Sequence, residues 1–211
     1  GHRVSDPGRQ QRLGERRSPG DPRIAGIELV HADDGDHAFV AGLVLSLAER
    51  AVGRHDDAMA HADELVALGR QHKNKVLVAK GLLSKAYVAS RQNQLDLSHQ
   101  LIWEAERIAN TTGDMPLRVA AAISSGHAHA EEGNLPAALG KLQEAVALAR
   151  ATGRPIPQVM ALNALANQYA RLKEYDKGFE ALAEASAIAV KTNSPGRMAT
   201  LKNTEYGLAL E

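Results

Sequence analysis

From about residue 36 onward, apolar positions recur three and four apart, β-branched runs are short and alanine is abundant. That spacing predicts helices and leaves almost no strand signal. The pattern then repeats, at a spacing of forty. Leu95, Leu135 and Tyr175 are equivalent, as are Ile102, Leu142 and Leu182. Ala105, Ala145 and Ala185 follow, each preceded by Glu104, Glu144 or Glu184. Ile108, Leu148 and Ile188 come next, then Ala109, Ala149 and Ala189, and Thr112, Thr152 and Thr192 mark one point in three loops. A fainter earlier copy places Ala58, Leu65 and Leu68 on the positions of Ser98, Ala105 and Ile108.

Each copy predicts two helices. First helices are expected over 37–52, 76–91, 116–131 and 156–172, and their partners over 55–70, 95–111, 135–151 and 175–191. Turns such as Glu132-Gly133-Asn134 and Gly113-Asp114-Met115-Pro116 carry the Gly, Asn and Pro that stop one helix and start the next. Connections this short force antiparallel neighbours. The expected organisation is all-α. An Arg/Gly/Pro-rich leader without a core spans 1–20, and a short helix follows over 21–35. Four helical hairpins of forty residues fill 36–195, and a capping helix occupies 196–211.

The segment LNALANQYARLKEYDKGFEALAEA, residues 162–185, resembles the tetratricopeptide repeat. The family's large, large, small, aromatic pattern falls on Leu162, Leu165, Ala166 and Tyr169, and its second-helix pattern on Gly178, Leu182 and Ala185. Earlier copies give Ala122, Ser125, Gly126 and His129, and Leu82, Lys85, Ala86 and Ala89. The period exceeds the family's usual repeat of about thirty-four residues. Asn110, Arg150 and Val190 replace the family's proline, so the second helices should continue through those positions. Longer repeats of this kind look like those of large bacterial signalling ATPases and transcription regulators. A HEAT-like array is the alternative for a helical-pair period of this length.

The resemblance implies a right-handed α–α superhelix whose inner face is lined by first helices, with selected side chains pointing into the groove. Mapped onto this chain they are Lys80, Leu83, Tyr87 and Arg91, then Ala120, Ile123, His127 and Glu131, then Met160, Asn163, Asn167 and Arg171, with Arg50 near the same face. Of these, Lys80, Tyr87, Arg91, His127, Asn163, Asn167 and Arg171 are the candidate peptide-binding residues. Asparagine amides can grip a peptide backbone, basic side chains can hold carboxylates, and Tyr87 offers a stacking surface. The expected function is a non-catalytic scaffold for a protein or peptide segment, part of a bacterial signalling or regulatory system. Self-association or a small-molecule sensor segment is the alternative.

Composition narrows the classes further. Twenty-five basic and twenty-five acidic residues cancel, which gives no basic excess for direct nucleic-acid binding. The chain has no cysteine, so thiolate chemistry is excluded. No apolar run reaches membrane-span length, and the expectation is a cytoplasmic protein. Aromatics are only 3%, so Ala, Leu and Val must build the core. His127 and His129 diverge on a helix, and the run from His31 to His37 lacks calcium-loop spacing, so no metal, cofactor or catalytic residue is expected. Trp103 aligns with Gln143 and Ala183, which places it on the outer face or partly under a loop. In the last segment Met198, Leu201, Leu208 and Leu210 suggest an uncovered apolar face, and hence a possible homodimer through the C-terminal helix.

Overall fold

The computed structural model describes residues 55–193 and 195–209. The expected leader, the 21–35 helix and the 37–52 helix, with Arg50, lie outside the described residues. Among the described residues every regular element is a helix: α1 (His55–Gln71), α2 (Lys75–Arg91), α3 (Leu95–Ala109), α4 (Met115–Glu131), α5 (Leu135–Ala151), α6 (Pro155–Arg171), α7 (Tyr175–Lys191) and α8 (Pro195–Ala209). Each begins twenty residues after the one before. The forty-residue period of the sequence is therefore two equal steps of helix plus turn.

Local chemistry fixes these boundaries. Asn74, Asp114 and Asn134 accept from the backbone N–H groups of Leu77, Leu117 and Ala137, capping α2, α4 and α5. Thr112, Thr152 and Thr192 each donate a hydroxyl to a carbonyl three residues back, on Ala109, Ala149 and Ala189. That satisfies one of the orphan carbonyls at each helix end and explains the repeated threonine. Lys73, Asn93, Gly133, Gly153, Lys173 and Asn193 occupy the left-handed region just past a helix end. Two expectations need correction. Helix α3 stops at Ala109, because Thr111 also bonds the Ile108 carbonyl and draws the chain into a longer turn. The second helix thus continues through Arg150 and Val190 and not through Asn110.

Neighbouring helices pack in antiparallel pairs, and each layer touches only the next. Second helices bury one stripe: Ser98, Ile102, Ala105 and Ala109 in α3 recur as Ala138, Leu142, Ala145 and Ala149 in α5 and as Gly178, Leu182, Ala185 and Ala189 in α7. First helices are enclosed on more sides, with eight buried residues in α2 and in α4 against five in α3. Helix α4 feeds two apolar clusters, Val119 and Ala122 joining the later layers, Leu117, Ala121 and Ala128 the earlier ones. Missing side chains set the closest approaches. A Cβ on Gly126 would stand 2.7 Å from Leu142, and one on Gly81 would stand 3.0 Å from the Val66 backbone nitrogen.

The C-terminal helix also differs from expectation. Leu201 and Leu208 are buried, and Leu208 reaches the space that Gly178 leaves on α7. Lys202, Glu205 and Tyr206 are exposed instead. The leucines meet the preceding layer, since α8 contacts both α6 and α7. No described helix is long and apolar enough to cross a membrane.

Candidate functional site

The contacts between alternate helices show which row is inner. Helix α2 touches α4, α4 touches α6, and α6 touches α8, whereas α3, α5 and α7 make no such contact with one another. Stacked layers bring one row together and spread the other only when the stack curves, with the crowded row inside. First helices therefore line the inner curve. Long side chains bridge the spread outer row: Arg70 with Glu104 at 3.9 Å, Lys141 with Glu106 at 2.7 Å, and Arg150 with Glu184 at 2.8 Å. Glu104 and Glu184, two of the periodic glutamates, are thus links between layers. Glu106 further accepts from the buried Ser125 hydroxyl at 2.7 Å, and its bond to Lys141 is the main cause that raises the lysine pKa above its ordinary value.

The candidate residues lie along this inner row. Tyr87, Arg91, His127, Asn167 and Arg171 are exposed, while Lys80 and Asn163 are half-buried. Arg91 and Arg171 are the last residues of α2 and α6, and Glu131 is the last of α4. Among the described residues neither Arg91 nor Arg171 has an ion-pair or hydrogen-bond partner. Glu131 is held, with one oxygen accepting from the Ser90 hydroxyl at 3.3 Å and the other 3.3 Å from His99 Nε2. Although part of its side chain reaches solvent, His127 is surrounded closely enough that desolvation is the first cause lowering its pKa, opposed by Glu131 and reinforced by Arg171. It is neutral at pH 7, an uncharged donor and acceptor between two cationic positions.

The asparagines are less open than the sequence implies. The Asn163 side-chain oxygen accepts from the Thr204 hydroxyl of α8 at 2.9 Å, and the Asn167 amide donates to the Asn163 carbonyl at 3.0 Å. Each has one side-chain polar atom outside these bonds, the Asn163 amide nitrogen and the Asn167 carbonyl oxygen. Apolar members were missed in part. Ile156 lies one turn before Met160 on the same stripe, and the two are 50% and 47% exposed. Extending the i, i+4 spacing back from Met160 would have found it. Trp103 is half-buried, its ring 4.9 Å from His129 and 6.4 Å from His99, so it faces its own neighbours rather than an open outer surface. His129 also bonds Glu132 at 3.2 Å. Among the described residues no group of His, Asp and Glu has the arrangement of a metal site.

No protein-family model matches the chain, and no curated protein matches it by sequence. Solved structures do. A thermophilic TPR protein from Thermus thermophilus is 18% identical with a TM-score of 0.54, over 79% of this chain and 80% of that one. The fold is that of a tetratricopeptide-repeat solenoid. A Rap protein crystallised in complex with Competence and Sporulation Factor is 15% identical with a TM-score of 0.68, over 81% of this chain. A signal transduction ATPase with numerous domains, with a tetratricopeptide repeat sensor, from Pyrococcus horikoshii, is 16% identical with a TM-score of 0.58, over 76% of this chain. This chain spans 48% of the Rap protein and 25% of the ATPase.

Proposed function

We propose that the chain is a non-catalytic scaffold that binds an extended protein or peptide segment along its inner row of first helices. The observation that carries this reading is the curvature: the row that is drawn together also presents Tyr87, Arg91, His127, Met160, Asn167 and Arg171 to solvent. A preformed surface of this kind binds with little ordering cost, and a few anchors carry most of the affinity. We place it in a cytoplasmic bacterial signalling or regulatory system; the likeness to a Rap protein in complex with a factor and to a signal transduction ATPase with a repeat sensor supports the signalling part of that reading. Self-association through α8 has weaker support, since Leu201 and Leu208 are buried and, among its described side chains, Tyr206 is the large apolar one that is exposed.

The test is a random peptide-display selection on the immobilised full chain. Selected peptides are expected to lose affinity by about tenfold when Tyr87 or Met160 becomes Ala, the range for an anchor residue. Substitution of Val190, which is exposed on α7, should leave their affinity unchanged. Peptides insensitive to both inner-row changes would refute the reading.

A further inference from the structure

The inner row is chemically graded in two directions. Along α6 the stripe runs from apolar to polar, with Ile156 and Met160 preceding Asn163, Asn167 and Arg171, whereas on α2 Lys80 interrupts it and Val76 and Leu83 pack against the core. Because the first helices of successive layers run the same way, their ends form a charged edge, and the start of α6 sets the exposed Ile156 and Met160 opposite it. The charged edge then alternates across three layers, Arg91 at the end of α2, Glu131 at the end of α4 and Arg171 at the end of α6. The two arginines are exposed and unpaired among the described residues, whereas Glu131 is already engaged by Ser90 and His99.

Building on the groove reading, we propose that the occupant is an extended segment with acidic residues six apart, a neutral or basic residue midway, and apolar side chains on the opposite edge. The spacing follows from the layers. Packed helices lie about 10 Å apart, so equivalent residues two layers apart are separated by about 20 Å. An extended chain of the polyproline type rises about 3.1 Å per residue with three residues per turn. Residues i, i+3 and i+6 therefore share one side and match the three layers. Carboxylates at i and i+6 meet Arg91 and Arg171. A carboxylate at i+3 would face Glu131, and like charges at that separation are unfavourable. Met160, about 16 Å along α6 from Arg171 at about 1.5 Å per residue, receives an apolar side chain from the segment's opposite face.

The test uses three fluorescein-labelled nonapeptides on the full chain, read by fluorescence anisotropy at low salt. One carries Glu at positions 2 and 8, Lys at 5 and Leu between. The second inverts every charge, and the third exchanges the residues at 5 and 8, giving Glu at 2 and 5 and Lys at 8 with the net charge unchanged. The matched peptide is expected to bind about tenfold tighter than either control, with the advantage shrinking in 0.5 M salt as exposed charges are screened. Arg91→Ala and Arg171→Ala should each weaken it by about threefold to tenfold, the worth of one charge-assisted contact. Arg171→Glu paired with a peptide bearing Lys at position 8 should recover the loss, and circular dichroism checks that the variants remain folded. Equal binding of all three peptides, indifference to both arginines, or no binding by any of them would overturn the charge pattern. The display selection separates this from failure of the groove reading: selected peptides that need Tyr87 or Met160 but lack the acidic spacing leave the groove standing and remove the pattern.

Discussion

The same substitution, glycine to alanine, should have opposite effects at two helical positions. At Gly81 of α2 an added Cβ would meet the Val66 side chain at 2.7 Å, the Val66 nitrogen at 3.0 Å and the Ala62 carbonyl oxygen at 3.2 Å. Rotation of a side chain relieves only the first, so α1 must retreat from α2 by several tenths of an ångström. The approach is reciprocal, since a Cβ on Gly69 of α1 would stand 2.8 Å from the Val78 nitrogen. At Gly140 of α5 nothing lies within 4 Å. Alanine gains about 1 kcal/mol over glycine in a helix interior at either site. Overpacking at Gly81 costs about 1–3 kcal/mol. Gly140→Ala is thus expected to stabilise by about 1 kcal/mol, and Gly81→Ala to be neutral or destabilising by up to about 2 kcal/mol. Urea unfolding followed by far-UV circular dichroism gives the comparison. Hydrogen exchange localises it, since repeat arrays can open layer by layer. Exchange protection should fall in α1 and α2 for the Gly81 variant alone. Equal stabilisation by both changes would refute the close approach of α1 and α2.

Other interactions give sharper signatures. Glu106→Ala strands the buried Ser125 hydroxyl and should cost about 1–3 kcal/mol, with part of that loss returned by Ser125→Ala in a double-mutant cycle. Glu184→Gln breaks an exposed pair with Arg150 and should cost under about 1 kcal/mol, a difference that disappears in concentrated salt. His127 should titrate below the ordinary histidine value in an NMR pH series; Arg171→Ala should raise its pKa and Glu131→Gln should lower it further. Because the folded value is depressed, the contribution of His127 to stability is complete above the unfolded value of 6.5 and is lost as pH falls through the folded one. His127→Gln should remove that slope.

Periodicity made the helices, their turns and the repeat legible, because a helix that buries a stripe against two neighbours needs small and apolar residues at fixed spacing. The repeated Thr152 and Glu184 were visible as a pattern before their roles were: Thr152 closes its own helix end through the Ala149 carbonyl, while the guanidinium that meets Glu184 belongs to the neighbouring layer and no local pattern reveals it. The end of α3 was not legible: Thr111 adds a hydroxyl-to-carbonyl bond to Ile108 that hydrophobic spacing does not register. The leucines of α8 illustrate a second limit. A stripe at helical spacing says that a face is apolar and not which neighbour covers it, and α6 and α7 already do. The candidate surface was read mostly by position. Asn163 lost part of its expected openness to Thr204, a partner 41 residues away that no local pattern joins to it.

A photo-crosslinking footprint asks directly where the ligand sits. A display-selected peptide carrying a photoreactive phenylalanine analogue is irradiated on the full chain, and the attachment points are located by mass spectrometry. Attachment along α2, α4 and α6, at residues such as Tyr87 and Met160, is the predicted result. Attachment confined to α3, α5 and α7 would place the ligand on the outer row and contradict the account.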